Sequence, residues 1–214
     1  SMANFQEELV ELVRCFRAHP CVVCWVLFNE GWGQANTRDL TALLEAEDAT
    51  RLVNAASGGN DLACAPGSMV DWHFYPGPLP SKHQARLIET AAKPGLDQGF
   101  PKLDQAGRAL VLGEYGGLGL PKDGHTWSSV GNWGYHTLQS VDQLTDHFIG
   151  MTRTLLDLAR KRGLCAAIYT QATDVEMEVN GLVTYDREVE KLNIGRVAAV
   201  NRELVECLNP SATL

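Results

Sequence analysis

Apolar residues along this chain repeat with two different periods. Phe5, Leu9, Leu12, Val13 and Phe16 fall on one face at helical spacing, which predicts a helix over 4–18. His19-Pro20 ends it, because a residue before proline is pushed out of the helical region. The pattern then changes. Residues 22–28 are an almost unbroken apolar run, the signature of a parallel-sheet strand buried on both faces. Asn36-Thr37 opens a helix through about Ala46, and a short strand over 52–56 ends in the glycine-rich loop 57–61. A strand over 69–76 stops at the turn signal Pro76-Gly-Pro. Residues 82–92 are a helix candidate, 94–107 a loop, and 109–113 a strand. The glycine-rich, aromatic stretch 116–138 reads as a long loop, and loops of that length are usually functional or disordered. Val141, Leu144, Phe148, Met151, Leu155 and Leu158 define a helix of about five turns. Gly163 stands just past it, where helix C-termini favour glycine. A fifth strand over 164–170, a polar loop over 171–188 and a last helix carrying Val189, Leu192, Val200, Leu204 and Leu208 complete the chain, which frays from Pro210.

Strands alternating with helices imply a parallel sheet with right-handed crossovers. The expected class is α/β, with about five parallel strands in one domain over 1–214. No repeat, low-complexity tract or linker divides it. Ser1-Met2 resembles a tag-cleavage scar.

Composition narrows the partners more than the fold. The 214 residues carry a net charge of −8, which argues against nucleic acid or an anionic membrane as partner. No apolar run approaches the roughly 20 residues needed to span a bilayer. Six scattered cysteines, with Cys21 and Cys24 pointing to opposite faces of a strand, form no zinc site and fit small buried hydrophobes in a reducing compartment. No metal and no cofactor is expected.

The chemistry lies where apolar runs end. The run from Cys21 stops at Asn29-Glu30, followed by Gly31, Trp32 and Gly33; the run from Ala109 stops at Glu114, followed by Tyr115, Gly116 and Gly117. The C-terminal tip of a parallel strand is where α/β barrels place catalytic groups. Two carboxylates across a cleft are the minimum for glycosidic bond cleavage, one donating a proton and the other attacking carbon or activating water. Asn29 adds a hydrogen-bonding group, and Trp32, Trp127 and Trp133 are loop indoles suited to stacking on a sugar. His73 and Tyr75, two apart at a strand end, point the same way. A lone glutamate after an apolar strand is more often a solvated end-of-strand charge, and the pair with its aromatic, glycine-rich sequels brings the two readings near even; His73 alone is more often a structural histidine, and Asp174 and Glu176 are most simply a solvated loop, which could hold a hard cation. No G-x-S-x-G elbow, dinucleotide fingerprint or Walker sequence competes.

The stretch from His19-Pro20 to Asn29-Glu30 is very similar to the acid/base signature of glycoside hydrolase family 2, which includes β-galactosidases, β-glucuronidases and β-mannosidases. Gly113-Glu114-Tyr115-Gly116-Gly117 resembles the nucleophile strand of its (β/α)8 catalytic domain, and Asp71 to Pro76 resembles the strand that supplies a His and a Tyr. Tyr169-Thr170-Gln171 through Asp174, with Asn180 to Asp186, is similar to its last-strand region. The resemblance implies a retaining double displacement with Glu30 as acid/base and Glu114 as nucleophile, about 5–5.5 Å apart. It adds Gln171 and Asp174 to the residues expected to bind the carbohydrate substrate.

In that family the acid/base lies on barrel strand four and the nucleophile on strand seven. The chain therefore corresponds to strands four to eight, the C-terminal part of a TIM barrel. Two alternatives follow: a catalytically inactive partial barrel that self-associates, as a homodimer or with a missing N-terminal barrel half, and a carbohydrate-binding remnant.

Overall fold

The computed structural model describes residues 1–30, 33–58, 67–75 and 107–208. The candidate helix over 82–92, most of the loop over 94–107, Trp32, Cys64, the Pro76 turn and the frayed end lie outside the described residues. The chain divides into two compact units, Ser1–His73 with Pro101–Val111, and Phe74–Phe100 with Leu112–Leu214.

In the first unit, α1 (Met2–Phe16) begins at Ser1, whose side chain accepts from the Asn4 amide. β1 (Cys24–Val26) pairs in parallel with β2 (Leu52–Asn54), placing Cys24 opposite Leu52, Trp25 opposite Val53 and Val26 opposite Asn54. α2 (Thr37–Glu47) lies between them in sequence, as a parallel connection requires. Val13, Trp25, Leu27, Phe28, Leu40, Leu44, Val53 and Ala56 make the core. Burial of β1 is one-sided rather than two-sided. Trp25 is buried while Cys24 is half-buried and Val26 is 55% exposed, and Val23, just before the strand, is 68% exposed. The predicted face of α1 is likewise only partly used: Val13 is fully buried, Leu9 packs against the core, and Leu12 and Phe16 stay exposed.

β3 (Met69–Phe74) and β4 (Ala109–Gly116) run from the first unit into the second, and with β7 (Leu164–Thr170) they make a three-stranded sheet in the order β3-β4-β7. The second unit also holds α3 (Val141–Arg162) and α4 (Ile194–Leu208). Ser140 caps α3 by accepting from the Gln143 amide, Arg160, Lys161 and Arg162 crowd its last turn, and Gly163 ends it in the left-handed conformation. Leu118, Leu120, Leu138, Leu144, Phe148, Ile149, Leu192, Val197 and Val200 form this unit's core.

Five strands stand where the apolar runs place them. The long loop does more than expected, since β5 (Leu118–Gly119) and β6 (His136–Thr137) pair in parallel inside it. The last helix starts at Ile194 rather than near Val189. The Thr184 amide donates to the Val189 carbonyl at 3.0 Å and the Lys191 amide to the Leu182 carbonyl at 2.9 Å, and Glu190 bridges to Val183, so residues 189–191 are held in extended pairing. Among the described residues no sheet closes on itself, and no helix is long and apolar enough to cross a membrane.

Candidate active site

Glu30 is placed by backbone pairing that continues past β1. The Leu27 amide donates to Asn54, the Ser57 amide to Phe28, and the Glu30 amide to the Ser57 carbonyl, all at 2.8–2.9 Å. Glu30 itself has φ +52, a left-handed conformation that a non-glycine residue adopts at a cost. Its carboxylate Oε1 lies 2.9 Å from His73 Nδ1, with the Glu30 side chain 29% exposed and the His73 side chain 1%. His73 Nε2 is 2.8 Å from Ser57 Oγ, which donates to Asp71 Oδ2 at 2.9 Å; Asn54 Nδ2 donates to the same oxygen at 2.6 Å. Gly58, at φ +87, lies against this group. A Cβ there would meet His73 at 3.2 Å and Glu30 at 3.3 Å, so the loop approaches this closely only without a side chain. Asn29 is exposed and bridges to Ser57.

Around Glu114 the second unit builds an aromatic wall. The Tyr75 hydroxyl donates to Glu114 Oε2 and contacts Thr170 Oγ1. Burial, and then the bond to Glu114, hold this phenol far above its ordinary pKa, so it stays a proton donor. Tyr135 stacks on Tyr75 with centroids 3.9 Å apart, and Trp133, 40% exposed, meets Tyr135 edge-on at 5.5 Å. Gly117 (φ +65) makes room: a Cβ there would overlap both tyrosine rings.

A polar line leaves the end of β7. Gln171 Nε2 donates to Asn180 Oδ1 and Asn180 Nδ2 to Glu178 Oε1, each at 2.8 Å. Burial raises the Glu178 carboxyl, the Asn180 bond opposes that rise, and the Glu114 charge adds to it. The Thr170–Gln171 peptide bond is cis.

Two further groups have partners of their own. Asp174 is 1% exposed rather than solvated: Lys191, fully buried, donates to its Oδ1 at 2.5 Å and the Gly181 amide donates there at 2.8 Å. An ammonium thus stands beside the carboxylate that could have held a hard cation. Trp127, 56% exposed, packs against Tyr185 at 5.2 Å. Nearby, His125, Asp186 and Glu188 bring three ligand-type atoms within 4.8 Å of one another on the surface. The Thr184 hydroxyl, then the Glu188 amide and His125, hold Asp186 at about 2.

The fold thus joins Glu30 to His73 and Glu114 to Tyr75, leaves Asn29 exposed, puts Trp133 on the aromatic wall, ties Gln171 to Asn180, turns Asp174 inward and packs Trp127 against Tyr185. Sequence reasoning missed Asn54, Ser57, Asp71, Tyr135, Thr170 and Glu178. Asp71 was within reach of it, because residues two apart on a strand share a face and His73 was already singled out.

Comparison with solved structures finds the same fold in longer enzymes. A Bacteroides uniformis beta-glucuronidase 2, covalently bound to cyclophellitol-6-carboxylate aziridine, superposes with a TM-score of 0.53 at 17% identity over 86% of this chain and 24% of that one. A galacturonate-bound family 2 beta-galacturonidase from Eisenbergiella tayi gives 0.55 at 12% identity over 94% and 36%. A beta-glucuronidase from an uncultured Clostridium sp. gives 0.56 at 15% over 95% and 36%. The chain therefore spans about a quarter to a third of the length of these structures. No curated protein matches it. The model of glycosyl hydrolases family 2, TIM barrel domain, matches residues 2–194, and the chain belongs to that family.

Proposed function

We propose that this chain carries both catalytic carboxylates of a retaining glycoside hydrolase, with Glu30 as acid/base and Glu114 as nucleophile, and acts as one catalytic domain. The observation that carries the reading is the different company the two glutamates keep. Glu114 accepts a hydrogen bond from a phenol that burial keeps protonated, a donor that orients the carboxylate for attack on the anomeric carbon. Glu30 faces an imidazole, a partner that suits a group alternating between acid and base. In the first step Glu114 bonds to the sugar while the proton of Glu30 passes to the leaving oxygen. In the second, Glu30 takes a proton from water, which displaces Glu114. A separation of about 5–5.5 Å is expected for such a pair. The covalent adduct named for the Bacteroides uniformis enzyme supports a nucleophilic mechanism in a related fold.

For the substrate, the relatives are named for uronosides, but Glu178 argues for a neutral sugar here. The Asn180 bond fixes it in the half-buried surroundings of Glu114, and a second carboxylate there repels a substrate carboxylate. Trp133 and Tyr135 offer a face to the apolar side of a pyranose.

Activated 2-deoxy-2-fluoro glycosides test both points by intact mass. The expected result is one glycosyl adduct on Glu114, formed from a galactosyl, glucosyl or mannosyl reagent faster than from the glucuronyl one. An adduct elsewhere, or none on the folded protein, would sink the assignment. A faster glucuronyl reaction would overturn the neutral-sugar reading alone.

A further inference from the structure

Behind Glu30 lies a second layer of polar groups: His73 and Asp71 at 3% exposure, Asn54 at 4% and Ser57 at 9%. Buried polar groups are costly unless their hydrogen bonds are made, so the proton positions in this layer are constrained. Ser57 has one hydroxyl hydrogen and stands between a carboxylate oxygen, 2.9 Å away, and an imidazole nitrogen, 2.8 Å away. A carboxylate only accepts. The hydroxyl hydrogen therefore goes to Asp71 Oδ2, where Asn54 donates as well. Ser57 Oγ can then only accept from His73, so Nε2 carries a hydrogen. In a neutral ring the other nitrogen, Nδ1, is a bare lone pair, and it faces Glu30 Oε1 at 2.9 Å. A bare nitrogen against a carboxylate would be two acceptors in contact; against a protonated carboxyl it is a hydrogen bond.

We propose that Asp71, Ser57 and His73 form a positioning relay that fixes the His73 tautomer with Nδ1 toward Glu30 and so retains Glu30 in its protonated form, ready for the first half-reaction. This rests on Glu30 being the acid/base. Asp71 and Ser57 touch no reacting atom; they act through the imidazole. Asn54 serves the relay by holding Asp71 Oδ2 from the other side.

A relay that serves proton donation matters in proportion to how much the leaving group needs a proton. The test is kcat/KM for a series of aryl glycosides running from 2,4-dinitrophenyl to phenyl, in Ser57→Ala, Asp71→Asn, Ser57→Thr and Glu30→Ala. General acid catalysis is typically worth 10²–10⁴-fold, and a positioning residue should carry roughly 10- to 100-fold of that on phenyl glycosides. On dinitrophenyl glycosides the losses in Ser57→Ala and Asp71→Asn should be several-fold at most, and Ser57→Thr should restore the phenyl rate. Equal losses across the series in Ser57→Ala, with leaving-group-dependent losses in Glu30→Ala, would overturn the relay and leave the acid/base assignment standing. A flat series in Glu30→Ala would overturn both. A second measurement needs no turnover: long-range proton–nitrogen correlation spectra of His73 in the full chain. The Nε2–H tautomer of a neutral ring is expected, and its loss in Ser57→Ala; an Nδ1–H tautomer, or a doubly protonated ring paired with an ionised Glu30, in the unaltered protein would refute the relay.

Discussion

Replacing Lys191 by methionine should be among the most damaging single changes in the second unit. The Lys191 ammonium is fully buried and donates to Asp174 Oδ1 at 2.5 Å and to the Val179 carbonyl at 3.0 Å. Asp174 is 1% exposed, and its Oδ2 has no hydrogen-bond partner among the described residues. Removing the lysine strands a buried carboxylate with only the Gly181 amide to stabilise it. Breaking one side of such a pair costs about 3–5 kcal/mol. For a chain of this size that is roughly 6–20 °C of melting temperature. Asp174→Asn should cost a similar amount near neutral pH, but the loss should shrink as pH rises. Burial already holds the Lys191 amine below its ordinary pKa, against the pull of Asp174. Without the pull of Asp174 that amine falls lower still, and between the variant's value and the native one the unfolded chain binds the extra proton in the variant alone, so the deficit narrows as pH rises there. The assay is urea unfolding of both singles and of Lys191→Met/Asp174→Asn, followed by tryptophan fluorescence and circular dichroism. The double variant should lose less than the sum of the singles by about 2 kcal/mol or more. A coupling below about 0.5 kcal/mol, or singles within 1 kcal/mol of the unaltered protein, would refute the reasoning.

Three further outcomes are expected. Tyr75→Phe removes a donor to Glu114; a hydrogen bond to a charged group is worth about 1.5–3 kcal/mol, so kcat/KM should fall roughly 10- to 150-fold, and an unchanged value would dissociate Tyr75 from the nucleophile. Base should unfold the protein from about pH 10. Burial pushes the Tyr115 phenol up to about 12, against its bond to Thr152, and drives Tyr75 higher still. Their stabilising contribution is complete below the unfolded value near 10 and is lost as pH rises through the folded ones, at about 1.4 kcal/mol per pH unit for each; urea midpoints that stay level from pH 9.5 to 11 would contradict this. Gly117→Ala combines a left-handed backbone with overlap against Tyr75 and Tyr135, and should cost at least about 2 kcal/mol in urea while reducing turnover. An alanine variant within 0.5 kcal/mol of the original would show that the wall can move.

Much of this architecture was legible because strand and helix periods are local properties. Glu30 and Glu114 stand at the ends of apolar runs, and the runs themselves mark the strands. The groups that surround them were not legible, for a physical reason. Ser57 reaches His73 across 16 positions, Lys191 reaches Asp174 across 17, and Tyr75 reaches Glu114 across 39. Such pairs exist only after the chain has folded back, and no window of sequence contains them. β5 and β6 escaped for a related reason: two residues are too few for a period, and their pairing depends on a partner 18 residues away. Asp174 was taken as solvated because a lone acid in a polar loop usually is; what inverted the outcome was a lysine on the far side of that loop.

The left-handed backbone at Glu30 sets function and durability against each other at a single position. An L-residue held there costs about 1 kcal/mol or more that glycine would avoid. Selection for robustness alone would drift toward glycine or asparagine at this site and discard the carboxylate in doing so. An engineer seeking a sturdier scaffold has the same choice, and Glu30→Gly should yield a protein that outlasts its parent while losing turnover of glycosides whose leaving group needs a proton.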